Sequence, residues 1–458
     1  MSINSAMLAG ASGMRANSSA LAAISDNIAN VNTVGYKRLR NDFTSLLNSR
    51  NSQPTYSAGG VMSHSSPLMS EQGSAVASSV STHLAVSGNG FFVVRGRSDN
   101  AGTTDPYLYT RAGQFTPDAN GYLQNTAGYY LQGWPVDATG AVATNPTDLS
   151  ALQAVRVSGI AGGAEATSTV SLSANLQSSH ELSQAVVNGT YDAADSANNM
   201  ASGQVTPDFQ VPVQVYDSQG GLHTLTMSFL KAGPNQWYTE VHMAAGDIDP
   251  GGSTLVDGQV ATGMVAFTPF GQIDTANSTL PTTITIGMAG ANAGPEWDAG
   301  LGLAAQTITL DMGGPNSPGG LTNYDSPSIL GTSPANGTPF GSLASVDVDD
   351  DGFVTAIFTN GLTRRIYQIP LAMFGNVDGL LPENGGVYRL GPNAGALTMR
   401  GAGVGGTGEI KARALESSTV DLAEEFSNLI MTQRAYSASS KIITTADEML
   451  DELIRLKR

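Results

Sequence analysis

The pattern that comes closest to a metal site is the acidic run at residues 347–352. Asp347, Asp349 and Asp351 are spaced like the first ligands of a calcium-binding loop. Such a loop needs a bidentate carboxylate at its twelfth position, where this sequence has Phe358, and a helix afterwards, where it has β-forming residues. A β-hairpin with an Asp-Gly turn is the better interpretation, and we expect no metal ligand here.

Other patterns that could carry chemistry are weaker. Gly401, Gly403 and Gly406 satisfy G-x-G-x-x-G, but without a strand–turn–helix unit around them they predict a connector and no cofactor. The histidines are scattered without zinc spacing, and the absence of cysteine excludes thiolate catalysis and disulfides. We therefore expect no catalytic residue. A glycan-cleaving carboxylate pair that forms only in three dimensions stays as an enzyme alternative.

Charge and hydropathy exclude two kinds of partner. The chain has 21 Lys and Arg against 38 Asp and Glu, a net charge of −17, which repels phosphate backbones and predicts no nucleic-acid binding. There is no run of 18 apolar residues, so no membrane span is predicted. The N-terminus lacks the basic and apolar regions of a secretory signal, and we expect any export to proceed without a cleaved signal.

The residues predicted to contact a partner lie in two predicted terminal helices, at residues 1–35 and 415–458. Each has apolar residues at alternating spacings of four and three, as in a coiled coil, and hydroxyls at 417–419 could cap the second helix. The apolar surface exceeds what one partner helix covers, which predicts assembly with further copies; an ordinary helix pair packed on a core is the alternative. The predicted assembly residues are Ile3, Met7, Met14, Leu21, Ile24, Ile28, Val31, Leu422, Phe426, Leu429, Tyr436, Ile443, Met449, Leu450, Leu453 and Ile454.

Lys37, Arg38 and Arg40 form the densest basic patch of the sequence. Charge runs are usually solvated, so we expect an exposed turn here. The alternative is a contact with an acidic neighbour.

The chain between the helices predicts nested antiparallel β domains, which makes the fold class α+β. We expect an extended connecting segment at 36–80, an inner β domain at 81–165 and 340–414, and an outer β domain at 166–339 inserted into it. Asn-Gly and Asp-Gly pairs at 89–90, 120–121, 351–352 and 360–361 predict turns of the inner domain, and 219–221 a hairpin turn of the outer one.

Both ends of the sequence resemble a known family. AISDNIANVNTVGYKR at 23–38 and the stretch from Asp421 to Arg458 are similar to the terminal motifs of the axial proteins of the bacterial flagellum, which include rod, hook and hook-associated proteins. Residues 89–94, 109–134 and 215–230 are similar to the inner and outer β domains of the hook branch.

The resemblance implies a structural subunit that assembles with itself into a helical tubular filament. Such a filament would be the flexible joint between the basal-body rod and the flagellar filament, needed for motility. The terminal helices would line a central channel, with the inner domain around them and the outer domain facing solvent. The implied partners are other copies, the rod, hook-associated and hook-cap proteins, and the flagellar export apparatus, and the implied location is the extracellular flagellum. A distal rod protein of the same family, and a secreted β-rich adhesin or calcium-dependent glycan-binding protein, are the alternatives.

Overall fold

The computed structural model describes residues 3–46, 59–98, 105–137, 140–142, 149–314 and 319–456, without the side chains of Ile3, Leu453 and Leu456. The chain forms two compact units. Unit 1 consists of Met1–Ile160, Ala344–Ile357 and Thr363–Arg458; unit 2 consists of Ala161–Leu343 and Phe358–Leu362. Unit 2 is thus inserted in the sequence of unit 1. Helices α1 and α3 span Ile3–Ala29 and Leu422–Leu456 in unit 1, and the short α2 spans Gln184–Val187 in unit 2.

The strands of the described residues follow in chain order. Strands β1 to β10 lie in unit 1: Leu39–Ser45, Val61–Pro67, Ala75–Ala77, Leu84–Ser87, Phe91–Arg95, Leu108–Thr110, Thr116–Pro117, Leu123–Gln124, Tyr130–Pro135 and Gln153–Ala154. Strands β11 to β24 lie in unit 2: Gly163–Glu165, Thr169–Ser171, Ala174–Asn175, Phe209–Tyr216, Leu222–Gly233, Gln236–His242, Ile248–Asp249, Gln259–Ala266, Thr283–Ile286, Glu296–Trp297, Gln306–Asp311, Leu321–Thr322, Ile329–Leu330 and Thr338–Gly341. Strands β25 to β33 lie in unit 1, apart from the first residue of β25 and the last of β26: Leu343–Val348, Phe353–Phe358, Thr363–Gln368, Pro370–Phe374, Leu381–Glu383, Val387–Arg389, Leu397–Gly401, Glu409–Ala412 and Ala414–Glu416.

Unit 1 is built on a 13-stranded antiparallel sheet with the central order β25-β26-β27-β9-β5-β6-β30-β29. All five side chains of β5 are buried, and Phe91 meets Phe374 and Tyr388 edge to face at ring-centroid distances of 6.0 and 6.1 Å. Apolar residues on both faces make β5 a central strand. The predicted α+β fold class is confirmed.

The two late hairpins, β25–β26 and β26–β27, agree with the sequence, although the turn of the second one, Phe358–Leu362, belongs to unit 2 instead of the inner domain. Strands β25, β26 and β27 are consecutive neighbours, and the Asp349 carboxylate accepts a hydrogen bond from the Phe353 N–H at 2.7 Å across the first turn. Phe358, at the twelfth position of the calcium-like run, is 2% exposed and belongs to the core. The carboxylates of Asp347 and Asp350 pair with Arg413 and Lys411.

The predicted hairpin turn at Asn89-Gly90 is wrong. Strand β4 pairs with β32 near the other end of the chain, whereas β5 pairs with β6, β9 and β28. Gly90 has φ +126°, and a Cβ on it would lie 2.9 Å from the Leu371 side chain, so the pair marks a close approach between strands. The Asn120-Gly121 turn does join paired strands, β7 and β8.

Segment 36–80, predicted as extended and connecting, contains paired strands in its described part. Strands β1 and β2 pair antiparallel from Leu39↔Pro67 to Ser45↔Val61, and β3 pairs with β33. Residues 47–58 of this segment lie outside the described residues. The pairing gives the backbone hydrogen bonds of this polar stretch partners within the same chain.

The predicted bounds of both terminal helices need correction. Helix α1 ends at Ala29 instead of residue 35, because the Asn30 side chain donates to the Asp26 carbonyl at 2.9 Å and the chain then turns. Helix α3 begins at Leu422 instead of residue 415, since 414–416 form strand β33. Its N-cap is Asp421, which accepts from the Ala423 N–H at 2.8 Å, rather than a hydroxyl at 417–419.

Unit 2 has its own apolar core between a four-stranded antiparallel sheet, β14-β15-β16-β18, and smaller sheets. Strands β14 and β15 form the predicted hairpin, and Asp217 holds its turn by accepting from the Gly221 N–H at 2.8 Å. The boundary of this unit also differs from the prediction. Residues 161–165 belong to unit 2 because β11 pairs with β24.

Candidate assembly surface

Helices α1 and α3 pack against each other at glycines. A Cβ built on Gly10 would lie 3.0 Å from Cγ1 of Ile443, and one on Gly13 would lie 3.0 Å from Oγ of Ser439. These distances are tighter than ordinary van der Waals contact, so a side chain at either position would push the helices apart. Gly10 and Gly13 are therefore contact points between the two helices.

The face that α1 buries consists mainly of small residues. Ala16, Ala20, Ala23 and Asn27 are buried, together with Ile24, whereas the larger apolar residues are displaced to its flanks. Of the predicted α1 residues, Ile24 alone is buried; the half-buried ones are Met7, Met14, Leu21, Ile28 and Val31. Val31 lies in the turn after the helix, and the side chain of Ile3 lies outside the described part.

Helix α3 presents a broad apolar surface to solvent. Its exposed large side chains, here called the α3 apolar face, are Leu422 (40% exposed), Phe426 (52%), Ile430 (51%), Met431 (60%), Tyr436 (40%), Ile442 (50%), Met449 (55%) and Ile454 (64%). Five of these were predicted from the 4,3 spacing. The other predicted α3 residues are half-buried at Leu429, Ile443 and Leu450, while the side chain of Leu453 lies outside the described residues. So many exposed large apolar side chains on one helix, lying on several of its sides, indicate an interaction site.

Ile430, Met431 and Ile442 were missing from the predicted assembly residues. Ile430 and Met431 lie off both apolar stripes of the helix, whereas Ile442 lies on the second stripe, seven residues before Met449. The available signal is the whole helix, because apolar residues on several sides predict burial on several sides. Only Glu425 and Ala446 of α3 are buried in the described part of the single chain.

The base of the helix pair is held by a buried ion cluster around Glu416. Its carboxylate lies 2.7 Å from Lys37 Nζ and 3.2 Å from Arg111 Nη1, and it accepts the Gly73 N–H at 2.9 Å. The Lys37 and Glu416 side chains are 0% and 1% exposed. Burial lowers the pKa of Lys37, and the adjacent Glu416 carboxylate opposes that shift. The cluster joins the segment after α1 to the strand before α3.

The expectation that the basic patch is a solvated turn is wrong for two of its three residues. Lys37 is buried, and Arg38 pairs with Glu424 in the first turn of α3. Arg40 alone is exposed, with its Nε 2.9 Å from Asp42. The acidic neighbour comes from the opposite end of the sequence, and local composition does not reveal it.

Asn27 connects α1 to the segment that follows it and to helix α3. Its side-chain amide donates to the Leu39 carbonyl at 2.9 Å and to Glu425 at 3.1 Å, and its oxygen accepts the Leu39 N–H at 2.8 Å and the Tyr36 hydroxyl at 3.2 Å. Burial raises the pKa of Glu425, which the Asn27 hydrogen bond and Arg38 oppose. Burial, together with the charges of Asp26 and Glu425, raises the pKa of Tyr36 to about 12, so this hydroxyl stays a donor at neutral pH.

The histidines do not converge on a catalytic or metal site. His223 lies between two carboxylates of unit 2, at 3.0 Å from Asp217 and 2.9 Å from Asp247, so both ring nitrogens are engaged. These hydrogen bonds raise its pKa against the effect of burial. Among the described residues no group of three or more His, Asp or Glu side chains is arranged to hold a metal ion.

The chain matches four family models from one end to the other. They are the flagella basal body rod protein (residues 7–37), the flagellar hook protein FlgE/F/G D1 domain (85–170), the flagellar basal body protein FlaE D2 domain (175–338) and the flagellar basal body rod FlgEFG protein C-terminal (411–456). The flagellar hook protein FlgE of Caulobacter vibrioides is 37% identical, and the match covers 100% of both chains. The chain belongs to the flagellar hook protein family.

Other members of the hook protein family match over nearly the whole chain. The relative from Rhizobium meliloti is 34% identical over 100% of both chains, and that from Escherichia coli is 30% identical over 97% of this chain and 98% of its own. A crystal structure of the Helicobacter pylori flagellar hook protein FlgE2 gives a TM-score of 0.46 at 15% identity, covering 75% of this chain and 100% of that one. In the described part of this hook-family chain, no helix has the length and apolar character needed to cross a membrane.

Proposed function

We propose that this chain is the structural subunit of a flagellar hook and that it polymerises by burying the α3 apolar face against other copies of itself. The observation that carries this proposal is that face: eight large apolar side chains on one helix, each 40–64% exposed in the single chain. A monomer that kept this surface in water would lose hydrophobic free energy that a polymer recovers. The helices would then line a central channel.

Burial of this face would contribute to the free energy of assembly. Full burial of one Leu, Ile, Phe or Met side chain contributes about 1.5–3 kcal/mol, so two extra burials per subunit contribute about 3–6 kcal/mol. In the proposed contact, α3 of one copy meets a different surface of the next copy, because exposed apolar residues on several sides of α3 cannot all be covered by one symmetric partner. Repetition of such a heterologous contact produces an open helical filament. This geometry supports a tube in preference to a closed dimer.

The buried contacts around Glu416 and Asn27, here called the junction, also support self-assembly. Ion pairs and hydrogen bonds around Glu416 and Asn27 fix the points at which both helices leave the β-sheets of unit 1. Assembly then has to order little more than the exposed sides of two helices that already have a fixed base.

The remaining parts of the proposal follow from family membership. The tube would act as the flexible joint between the basal-body rod and the flagellar filament. The subunit would be exported by the flagellar export apparatus without a cleaved signal, would be located in the extracellular flagellum, and would contact rod, hook-cap and hook-associated proteins. We assign it no catalytic step and no cofactor.

A distal rod subunit is the second candidate, because the models that match both ends carry rod names. A match over residues 175–338 to the FlaE D2 model, and whole-chain relatives named as hook proteins, favour the hook. Electron microscopy distinguishes the two: we expect curved, bendable tubes from a hook subunit and straight stiff ones from a rod subunit.

The test is polymerisation of the purified full-length chain beside Phe426→Ser/Met431→Ser. We expect the wild-type chain to sediment as tubes, and the variant to need at least a tenfold higher concentration, because two apolar burials are lost. Phe270→Ser is the control, since Phe270 is 81% exposed in unit 2. Equal polymerisation of wild type and variant, or a wild-type chain that stays monomeric at high concentration, would contradict the proposal.

A further inference from the structure

The two units differ sharply in charge. Unit 2 contains fifteen carboxylates and a single cation, Lys231, so it carries −14 of the net −17. Lys231 is 2% exposed and lies over the Trp237 ring, 4.7 Å from its centroid, so it contributes little positive charge to the surface. Unit 2 of any copy is therefore a polyanion, and two such units brought close in a polymer repel each other.

Unit 1 has a concave surface of the opposite sign. A hollow of about 370 Å³ is lined by Arg156, Arg364 and Arg365, with Ile160 and Ile366 as apolar members of its wall. All three arginines are exposed. This hollow is here called the arginine hollow.

The arginines are held in place by their neighbours. The guanidinium of Arg156 lies over the Tyr122 ring, 5.7 Å from its centroid, and its Nε donates to the Asn120 carbonyl at 3.1 Å. That of Arg365 lies over the Phe353 ring at 4.1 Å. Stacking fixes a guanidinium while leaving N–H donors of its fork for a carboxylate.

Among the described residues at the arginine hollow, cations outnumber carboxylates. Asp137 also lines it, and Asp349 lies 3.7 Å from Arg365. Arg156 has no carboxylate partner among the described residues. Three cations against two carboxylates leave the hollow positive, on a chain whose overall charge is strongly negative.

We propose that the arginine hollow of one copy binds carboxylates on the unit 2 surface of a second copy. Net charge favours this partner, because unit 2 carries −14 of the net −17 and has almost no cation of its own. Its exposed carboxylates are Glu165, Glu181, Asp192, Asp195, Asp249, Asp311 and Asp325. An arginine fork and a carboxylate form paired charge-assisted hydrogen bonds. In this contact the polyanionic unit 2 binds a cationic surface. The inference rests on the proposed self-assembly.

The first experiment measures the critical concentration for polymerisation of the full-length chain by sedimentation. Arg156→Glu/Arg364→Glu is compared with Arg389→Glu/Arg400→Glu, which makes the same charge change at exposed unit 1 arginines outside the hollow. We expect the hollow variant to raise the critical concentration about tenfold at low salt and the control to leave it within about twofold. At ~1 M salt the difference should shrink, because the Debye length falls to about 3 Å. Equal effects of both variants would overturn the inference.

A second measurement does not depend on altered arginines. Since the chain has no cysteine, Ser158→Cys in the wall of the hollow can carry a single photo-crosslinker. Polymers mixed from isotope-labelled and unlabelled chains identify cross-links between copies. We expect these to reach residues 161–343 of a second copy; cross-links confined to the same chain, or to unit 1 of the neighbour, would overturn the inference. Failure of the wild-type chain to polymerise would instead contradict the proposed function.

Discussion

Glu416 is the residue on which the junction depends most, because three donors converge on its carboxylate. Lys37 and Arg111 supply the charge and Gly73 an N–H, all in a place without solvent. Without Glu416 two buried cations lose the carboxylate that both of them contact. Without Lys37 the carboxylate keeps Arg111.

This asymmetry gives a prediction for single substitutions. Glu416→Gln should lower the local free energy of unfolding by about 3–5 kcal/mol, as removal of one partner from a buried pair does. Lys37→Met should cost less, about 1–3 kcal/mol, since Arg111 still neutralises Glu416. The measurement is the urea dependence of hydrogen exchange in peptides that contain β3 and β33.

Lys411→Met is the matched control. Lys411 pairs with Asp350 and Glu409, but the side chains are 38%, 64% and 57% exposed, so we expect almost no change in exchange. If Lys411→Met is as damaging as Glu416→Gln, the stabilising role of the buried cluster is wrong.

The ion pairs of single residues were the features hardest to predict from the sequence. The spacing of the acidic run correctly indicated a hairpin around Asp351-Gly352, because turn chemistry is local. The partners of Lys37 and Arg38 are distant in sequence, at Glu416 and Glu424, and composition predicts a solvated turn there. Long-range ion pairs leave no periodic signal along the chain.

At the scale of elements, both long helices were predictable and their bounds were not. Apolar repeats identify α1 and α3, but β33 occupies residues whose spacing continues the helical series. In α1, the residues that the 4,3 spacing predicts to be buried lie next to the residues that are buried in the structure. Helix α1 packs on β1 and β2 as well as on α3, so its buried line runs through alanines that a coiled-coil pattern does not select.

Gly10 sets the distance between the two helices and gives the element-scale prediction. Gly10→Leu places side-chain atoms where Ile443 and Ser439 already lie, and such overpacking costs about 1–3 kcal/mol. We expect amides of α1 and α3 in the monomer to exchange roughly tenfold faster. Hydrogen exchange followed by mass spectrometry, below the polymerisation threshold, is the measurement.

Ser18→Leu adds the same side chain at an exposed position of α1 and is the control. It should leave exchange unchanged or slow it slightly, because leucine favours helix more than serine does. Equal exchange in the two variants would show that the glycine contact does not hold the helices together.

For the whole molecule, the α+β class and the hairpins at β14–β15 and β25–β27 followed from turn residues and alternation. The pairing of β4 with β32 could not be predicted, because it joins segments more than three hundred residues apart. Several strands between residues 244 and 339 are only two to four residues long and lie among loops rich in Gly and Asn, so the alternation of apolar and polar residues is too brief to indicate their partners. Terminal motifs carried the family resemblance independently of these details.

The central claim is that copies of this chain cover the α3 apolar face, and accessibility of that face tests it most directly. Ile430→Cys and, as reference, Ala276→Cys on an exposed part of unit 2 each give the chain one thiol, because it has no cysteine of its own. Thiol labelling rates are measured in the monomer and in the sedimented polymer. We predict that the thiol at position 430 reacts readily in the monomer and at least tenfold more slowly in the polymer, while that at 276 changes little. Equal labelling of position 430 in both states would contradict the account.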